Sequence, residues 1–302
     1  MVTEASATSL PESRFASWCC EVKGRPPPMP TILLHALTWA ALHLSLAWVG
    51  RACWWTGAAF ALTLVQVQYV MHDVFHHQWR LETKGWAYYA LARFVTPALC
   101  GYGETYWVFH EHGPHHSFTA TSKDPDEDYE ERLWLGGAQG WWSLCPSWDI
   151  WAQSWRHAAR RRRYDVLFWL CLHASLSYRN GWRWELLKTL AYHGTMAITQ
   201  LFHHRFREET VVKEGEPQWR HTIRNTLNTG PHGWWLRLWM GGHNYQIEHH
   251  VFPSVSRFLL GSVAHEMRDW CSVLGLPYTT LTVPEQLARV WLVRSARFGG
   301  RS

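Results

Sequence analysis

The chain has 302 residues, a net charge of +5, and an excess of two residue types, 23 Trp and 20 His. A 47% apolar share and a mean hydropathy of −0.26 resemble those of a soluble protein, so bulk hydrophobicity does not set the class. The positive charge suits an anionic membrane surface or an acidic partner, but no basic stripe with interleaved aromatics recurs, which argues against nucleic acid; the seven Cys form no CxxC pair and exclude both a disulfide framework and a Cys-based zinc site.

Residues 1–30 are polar and end near Pro26-Pro27-Pro28, which reads as a flexible lead-in and not as a signal peptide. Thr31 to Gly50 contains no charged residue and, at about 1.5 Å rise per residue, is long enough to cross a hydrocarbon core. Ala52 to Met71 is a second such segment, and the Gly50-Arg51 junction predicts a tight helical hairpin. Trp86 to Cys100 is too short to span and reads as a helix lying in the interface. The acidic run Asp124 to Glu131 reads as a solvated loop. A second hairpin descends through Tyr164 to Tyr178, turns at Arg179 to Arg183 and returns through Trp184 to Phe202. Its Asp165, Glu185 and Lys188 lie near helix ends, where long side chains reach the polar interface. Arg80, Lys84, Arg93, the Arg156–Arg163 stretch and the basic residues beyond Phe202 place both chain ends and the middle loop in the cytoplasm, although the turn arginines oppose that bias. Phe258 to Leu274 is amphipathic and fits a cytoplasmic cap, and residues 281–302 read as a tail beyond a membrane domain at 31–280.

Twelve of the 20 histidines fall in four groups: His72, His76 and His77; His110, His112, His115 and His116; His203 and His204; and His243, His249 and His250. On a helix, His72 and His76 share a face, as do His112, His115 and His116, so their imidazoles can converge. One zinc takes about four ligands, whereas this many nitrogen donors with few thiols fit two iron atoms. No H-E-x-x-H protease motif is present.

Three runs make a resemblance visible. His72-Asp73-Val74-Phe75-His76-His77, His112-Gly113-Pro114-His115-His116 and Gln246-Ile247-Glu248-His249-His250-Val251-Phe252-Pro253 resemble the three histidine boxes of membrane fatty acid desaturases. The third, preceded by Gly241-Gly242-His243-Asn244-Tyr245, is similar to the branch holding front-end and acyl-lipid desaturases. The resemblance implies an all-α, mushroom-shaped integral membrane protein. Four transmembrane helices in two hairpins would carry a cytoplasmic helical cap that holds two non-haem irons. It implies as ligands His72, His76, His112, His115, His116, His249 and His250, with one more from His203 or His204. His204 is preferred because Gln200 lies one turn behind it and is able to hold a water on the metal. Gln246 replaces a histidine of other branches, leaving that ligand weak or water-mediated; His243, at a position usually apolar in relatives, and the additional His110 read as supports behind the ligands or as structural residues, with His77 and His243 kept as candidate metal or supporting contacts. Asp73 and Asn244 sit beside ligands and can orient imidazole N–H groups, or serve as helix caps or solvent contacts.

The implied activity is oxygen-dependent desaturation of a fatty acyl chain held in an apolar tunnel, with the metal ligands as the only catalytic residues. No His-Pro-Gly-Gly haem motif occurs in the chain, so the expected electron donor is separate, a ferredoxin or a small b-type cytochrome with its reductase. The expected location is a multi-pass membrane protein of the endoplasmic reticulum, or of the cytoplasmic membrane if bacterial. Two other readings stay open: a lipid hydroxylase of the same superfamily, and a non-catalytic membrane metal-binding protein.

Overall fold

The computed structural model describes residues 10–50, 53–81, 85–103, 107–121, 123–125, 146–201 and 215–289. These residues are helical apart from turns and one short pair of strands. The first hairpin joins α2 (Met29–Val49), with proline in its first turn, to α3 (Thr56–Phe75). Both helices are long and apolar enough to cross a membrane. They differ in environment. α2 leaves Leu33, Leu34, Leu37 and Leu44 exposed, whereas α3 is buried over most of its length.

The burial of α3 follows from its neighbours. It lies between α2 and the returning helix of the second hairpin, which is formed by α7 (Tyr164–Asn180) and α8 (Trp182–Leu201). Trp184 of α8 is buried against Phe60 and donates its indole N–H to Thr56 at 3.2 Å. α3 starts later than the Ala52 boundary read from the sequence, and Cys53 to Trp55 form the turn that precedes it. The helix also continues past Met71 to Phe75, which carries His72 on its last turn and makes His76 the residue that closes it.

The second hairpin turns at Gly181, which has φ +85°, and not over Arg179 to Arg183. Arg179 therefore remains helical and donates to the carbonyls of Ala47 and Trp48 at 2.8 and 2.9 Å. It caps the C-terminal end of α2, where a cation meets the negative end of the helix dipole. This local role explains an arginine that ran against the charge bias of the loops.

Between the hairpins, α4 runs from Trp86–Ala90 through a π-turn at Leu91–Val95 to Thr96–Cys100. Trp86 is exposed while Ala92, Thr96 and Cys100 are buried, so this helix is two-faced. α5 begins as a π-turn at Trp107–His112 and continues as Gly113–Phe118. A Cβ at Gly113 would lie 2.2 Å from the carbonyl oxygen of Val108, so only glycine permits this wide turn beside Pro114. α6 (Pro146–Arg160) leads into the second hairpin.

The remaining elements form a layer with its own apolar core over the box end of α3. They are α9 (Gln218–Asn225), β1 (Asn228–Gly230), α10 (Trp234–Trp239), α11 (Gln246–Val251), α12 (Leu260–Val273) and β2 (Thr280–Thr282), with β1 and β2 paired in parallel. Residues 10–24 correct the flexible lead-in: they form α1 (Leu10–Gly24) within this layer. Phe15, Trp18 and Val22 recur on one helical face and are buried with Phe252, Val263 and Met267. Trp18 also donates to Glu266 at 2.6 Å, and Arg25 forks onto the same carboxylate with two contacts of 2.7 Å. The tail boundary at 281 moves likewise, because β2 and the helical residues 283–289 belong to the layer and Gln286 is buried there against Thr229.

Candidate metal centre

Three separate stretches of chain deliver the site. α3 supplies His72 and His76 from its last turn, α5 supplies His112, His115 and His116, and α11 supplies His249 and His250. α11 reaches its place through Gly241 and Gly242, at φ +58° and +89°, and a Cβ on Gly241 would fall 2.2 Å from the ring of Tyr69. Glycine is thus required there twice over, by conformation and by space.

His72, His76, His112, His116 and His249 each present one ring nitrogen within 4.8 Å of all the others. The Nε2 atom of His112 lies 2.7 Å from that of His76 and 3.0 Å from that of His116. An imidazole nitrogen is a donor or an acceptor and never both, so nitrogens crowded onto one point are matched better by a shared cation than by one another. Burial, reinforced by the neighbouring imidazoles, holds His112 and His116 well below the usual histidine range. The rings are therefore neutral near pH 7, the form that binds metal. The Nδ1 atom of His116 is buried without a hydrogen-bond partner among the described residues. Borderline nitrogen donors of this kind suit iron, which is the fit the sequence reading requires.

The other two box histidines stand beside this group. His250 stacks on His116 with 4.2 Å between centroids, and His115 meets His250 edge-on at 4.9 Å. Gln246 places its amide nitrogen 3.0 Å from Nε2 of His250, so the residue standing where other branches have histidine does face the site.

The remaining candidates divide. His243 is brought in: its ring lies 4.6 Å from His72 and 5.1 Å from His249, and burial together with the Arg257 charge pushes its pKa down to about 3. Asp73 is buried, with one oxygen 3.5 Å from Nδ1 of His72 and the other 2.9 Å from Nε of Arg257. Asn244 is buried but turns its amide to His232 at 3.4 Å. His77 is exposed at φ +59° and stacks on Tyr88. His110 is exposed beside His157. His203 and His204 lie outside the described residues, as does the side chain of Gln200.

The fatty acid desaturase profile matches residues 46–282. The chain belongs to that family. The match takes in all three boxes, α3 and the second hairpin. The chain is 22% identical to a Delta(8)-fatty-acid desaturase of Helianthus annuus over 83% of its own length and 63% of the relative's. It is 25% identical to an acyl-lipid (8-3)-desaturase of Rebecca salina, with 83% and 66% covered, and 23% identical to fatty acid desaturase 3 of Homo sapiens, with 89% and 66% covered. It thus spans about two thirds of the length of these relatives.

Sequence reasoning passed over four residues that this desaturase fold brings to the site. Asp124, read as part of a solvated loop, is buried and bonds His115 Nδ1 at 2.9 Å. Thr119 is buried and meets His250 Nδ1 at 3.1 Å. Arg257 pairs with Asp73, and Asn228 holds both Glu248 and the backbone N–H of Ile247 at 2.9 Å. Burial pushes Glu248 up to about 7 against the hydrogen bonds from Tyr278 and Asn228, which engage its two carboxyl oxygens. An aspartate a short loop beyond a histidine box is the one signal that was available for Asp124.

Proposed function

We propose that the chain is a membrane-bound, O2-dependent fatty acyl desaturase with a two-iron centre. The observation that carries this reading is the meeting of five imidazoles from three distant segments in a chain of the desaturase family. One iron position is assigned to His72, His76, His112, His116 and His249, and the other to His115 and His250, with Gln246 alongside and His204 as a further ligand. When bound and reduced, the iron pair supplies the O2 chemistry that removes hydrogen from an unactivated methylene. The protein's part is to hold neutral imidazoles in place, to orient them and to keep water away. The substrate is assigned as a fatty acyl chain because the relatives are named for desaturation of fatty acids or acyl lipids. Two electrons come from a donor of the ferredoxin or b-type cytochrome class.

The membrane arrangement in this proposal uses α2, α3, α7 and α8 as four spans. Exposed Leu34, Leu37, Phe168 and Leu190 support it, as do exposed Trp48, Trp54, Trp55 and Trp182 at the touching tips of the two hairpins. The metal centre lies at the opposite end of α3, on the side given to the cytoplasm by the basic loops.

Lipid profiling of a host that expresses the chain tests the reaction. The expected product has lost two hydrogens relative to its precursor and is missing with His249→Ala. A product that has gained one oxygen would replace desaturation by hydroxylation.

A further inference from the structure

We propose that Asp124 and Thr119 are positioning residues that hold His115 and His250 by their Nδ1 atoms and so fix the orientation and tautomer of both rings, with Nε2 turned to the second iron position. The inference rests on the two-iron reading above. Asp124 is buried, and its two oxygens are both committed: Oδ1 lies 2.9 Å from His115 Nδ1, and Oδ2 accepts the backbone N–H of Ala120 at 2.7 Å. A carboxylate only accepts, so the proton of His115 sits on Nδ1. Nε2 is left with its lone pair, the form a metal needs.

Thr119 does the same for His250 by a different route. Its hydroxyl donates to the carbonyl oxygen of His115 at 2.7 Å, one helical turn back. Having one proton, it offers His250 Nδ1 a lone pair at 3.1 Å, and the imidazole must donate. The amide of Gln246, 3.0 Å from His250 Nε2, then points a donor at an acceptor, which agrees with the assignment. Thr119 is in turn held from behind, because its carbonyl meets His221 Nε2 at 2.9 Å and His221 meets Asn225 at 3.2 Å. A loop carboxylate and a hydroxyl thus set the two rings that helix spacing alone does not aim.

Asp124→Asn is the informative change, because an amide has one acceptor for two N–H groups. If its oxygen serves Ala120, its NH2 faces His115 and drives the imidazole proton onto Nε2, which blocks ligation. The experiment is a Co(II) titration of the metal-depleted, detergent-purified chain, followed by visible absorption and by metal counting. Wild type is expected to take two Co(II). Asp124→Asn is expected to keep one and bind the second about 10–100-fold more weakly, the usual cost of losing a partner that orients a ligand. Thr119→Val should weaken the same position, and Thr119→Ser should restore it, which keeps the test available if Asp124→Asn does not fold. In a His115→Ala background, Asp124→Asn should cause no further loss, whereas a purely structural role for Asp124 would add to it. Undiminished binding of the second Co(II) by Asp124→Asn and Thr119→Val, or additive losses in the double variant, would overturn the inference. A wild-type chain that takes only one Co(II) would overturn the two-metal reading beneath it.

Discussion

Five imidazoles, those of His72, His76, His112, His116 and His249, meet at one end of the site, while His115 and His250 stand together at the other. Helix geometry prepares part of the first group, since His72 and His76, like His112 and His116, are i,i+4 pairs, and tertiary packing then brings the two pairs and His249 together. The second pair depends on side chains outside the helical pattern, a carboxylate from the loop after α5 and a threonine hydroxyl at its end. Repeating spacing can assemble a metal position cheaply, but giving two positions different surroundings takes partners that no periodicity encodes.

The largest expected effect comes from breaking the meeting point itself. His249 is buried and is the imidazole that α11 contributes to the five-membered group, so on the proposed reading His249→Ala is expected to abolish product formation and deplete iron, measured together at equal expression. Arg257→Ala comes next, acting on the support of that same group. It would leave Asp73 buried beside His72 without its cation, an expected loss of about 3–5 kcal/mol of stability readable by thermal or denaturant unfolding in detergent. His243→Ala should be milder. The ring lies against His72 and His249 but outside the box pattern, so a fall in activity of about 10–100-fold with iron retained is expected. Loss of iron as complete as in His249→Ala would instead make His243 a ligand. His110→Ala should leave activity and iron unchanged, since that ring is exposed and pairs with His157.

The same contrast explains what could be read in the sequence. The first hairpin, the second hairpin, the amphipathic α12 and the box histidines were legible because each follows a period or an uninterrupted apolar run. Asp124 was not, because its neighbours in sequence are acidic and its burial arises only from the turn that returns it to Ala120 and His115. Arg179 misled for a related reason, since its charge is used by the carbonyl end of α2. α1 was missed although Phe15, Trp18 and Val22 carry helical spacing, because the surrounding residues are polar and the partners Phe252 and Trp270 lie far along the chain. Gln246, read as a weak or water-mediated substitute ligand, places its amide nitrogen against Nε2 of His250.

The most direct measurement is the metal content of the intact chain, purified after iron-replete expression and counted by mass spectrometry against quantified protein. The account expects two irons per chain, with one lost selectively when His115 is replaced. One zinc per chain and no iron would contradict it.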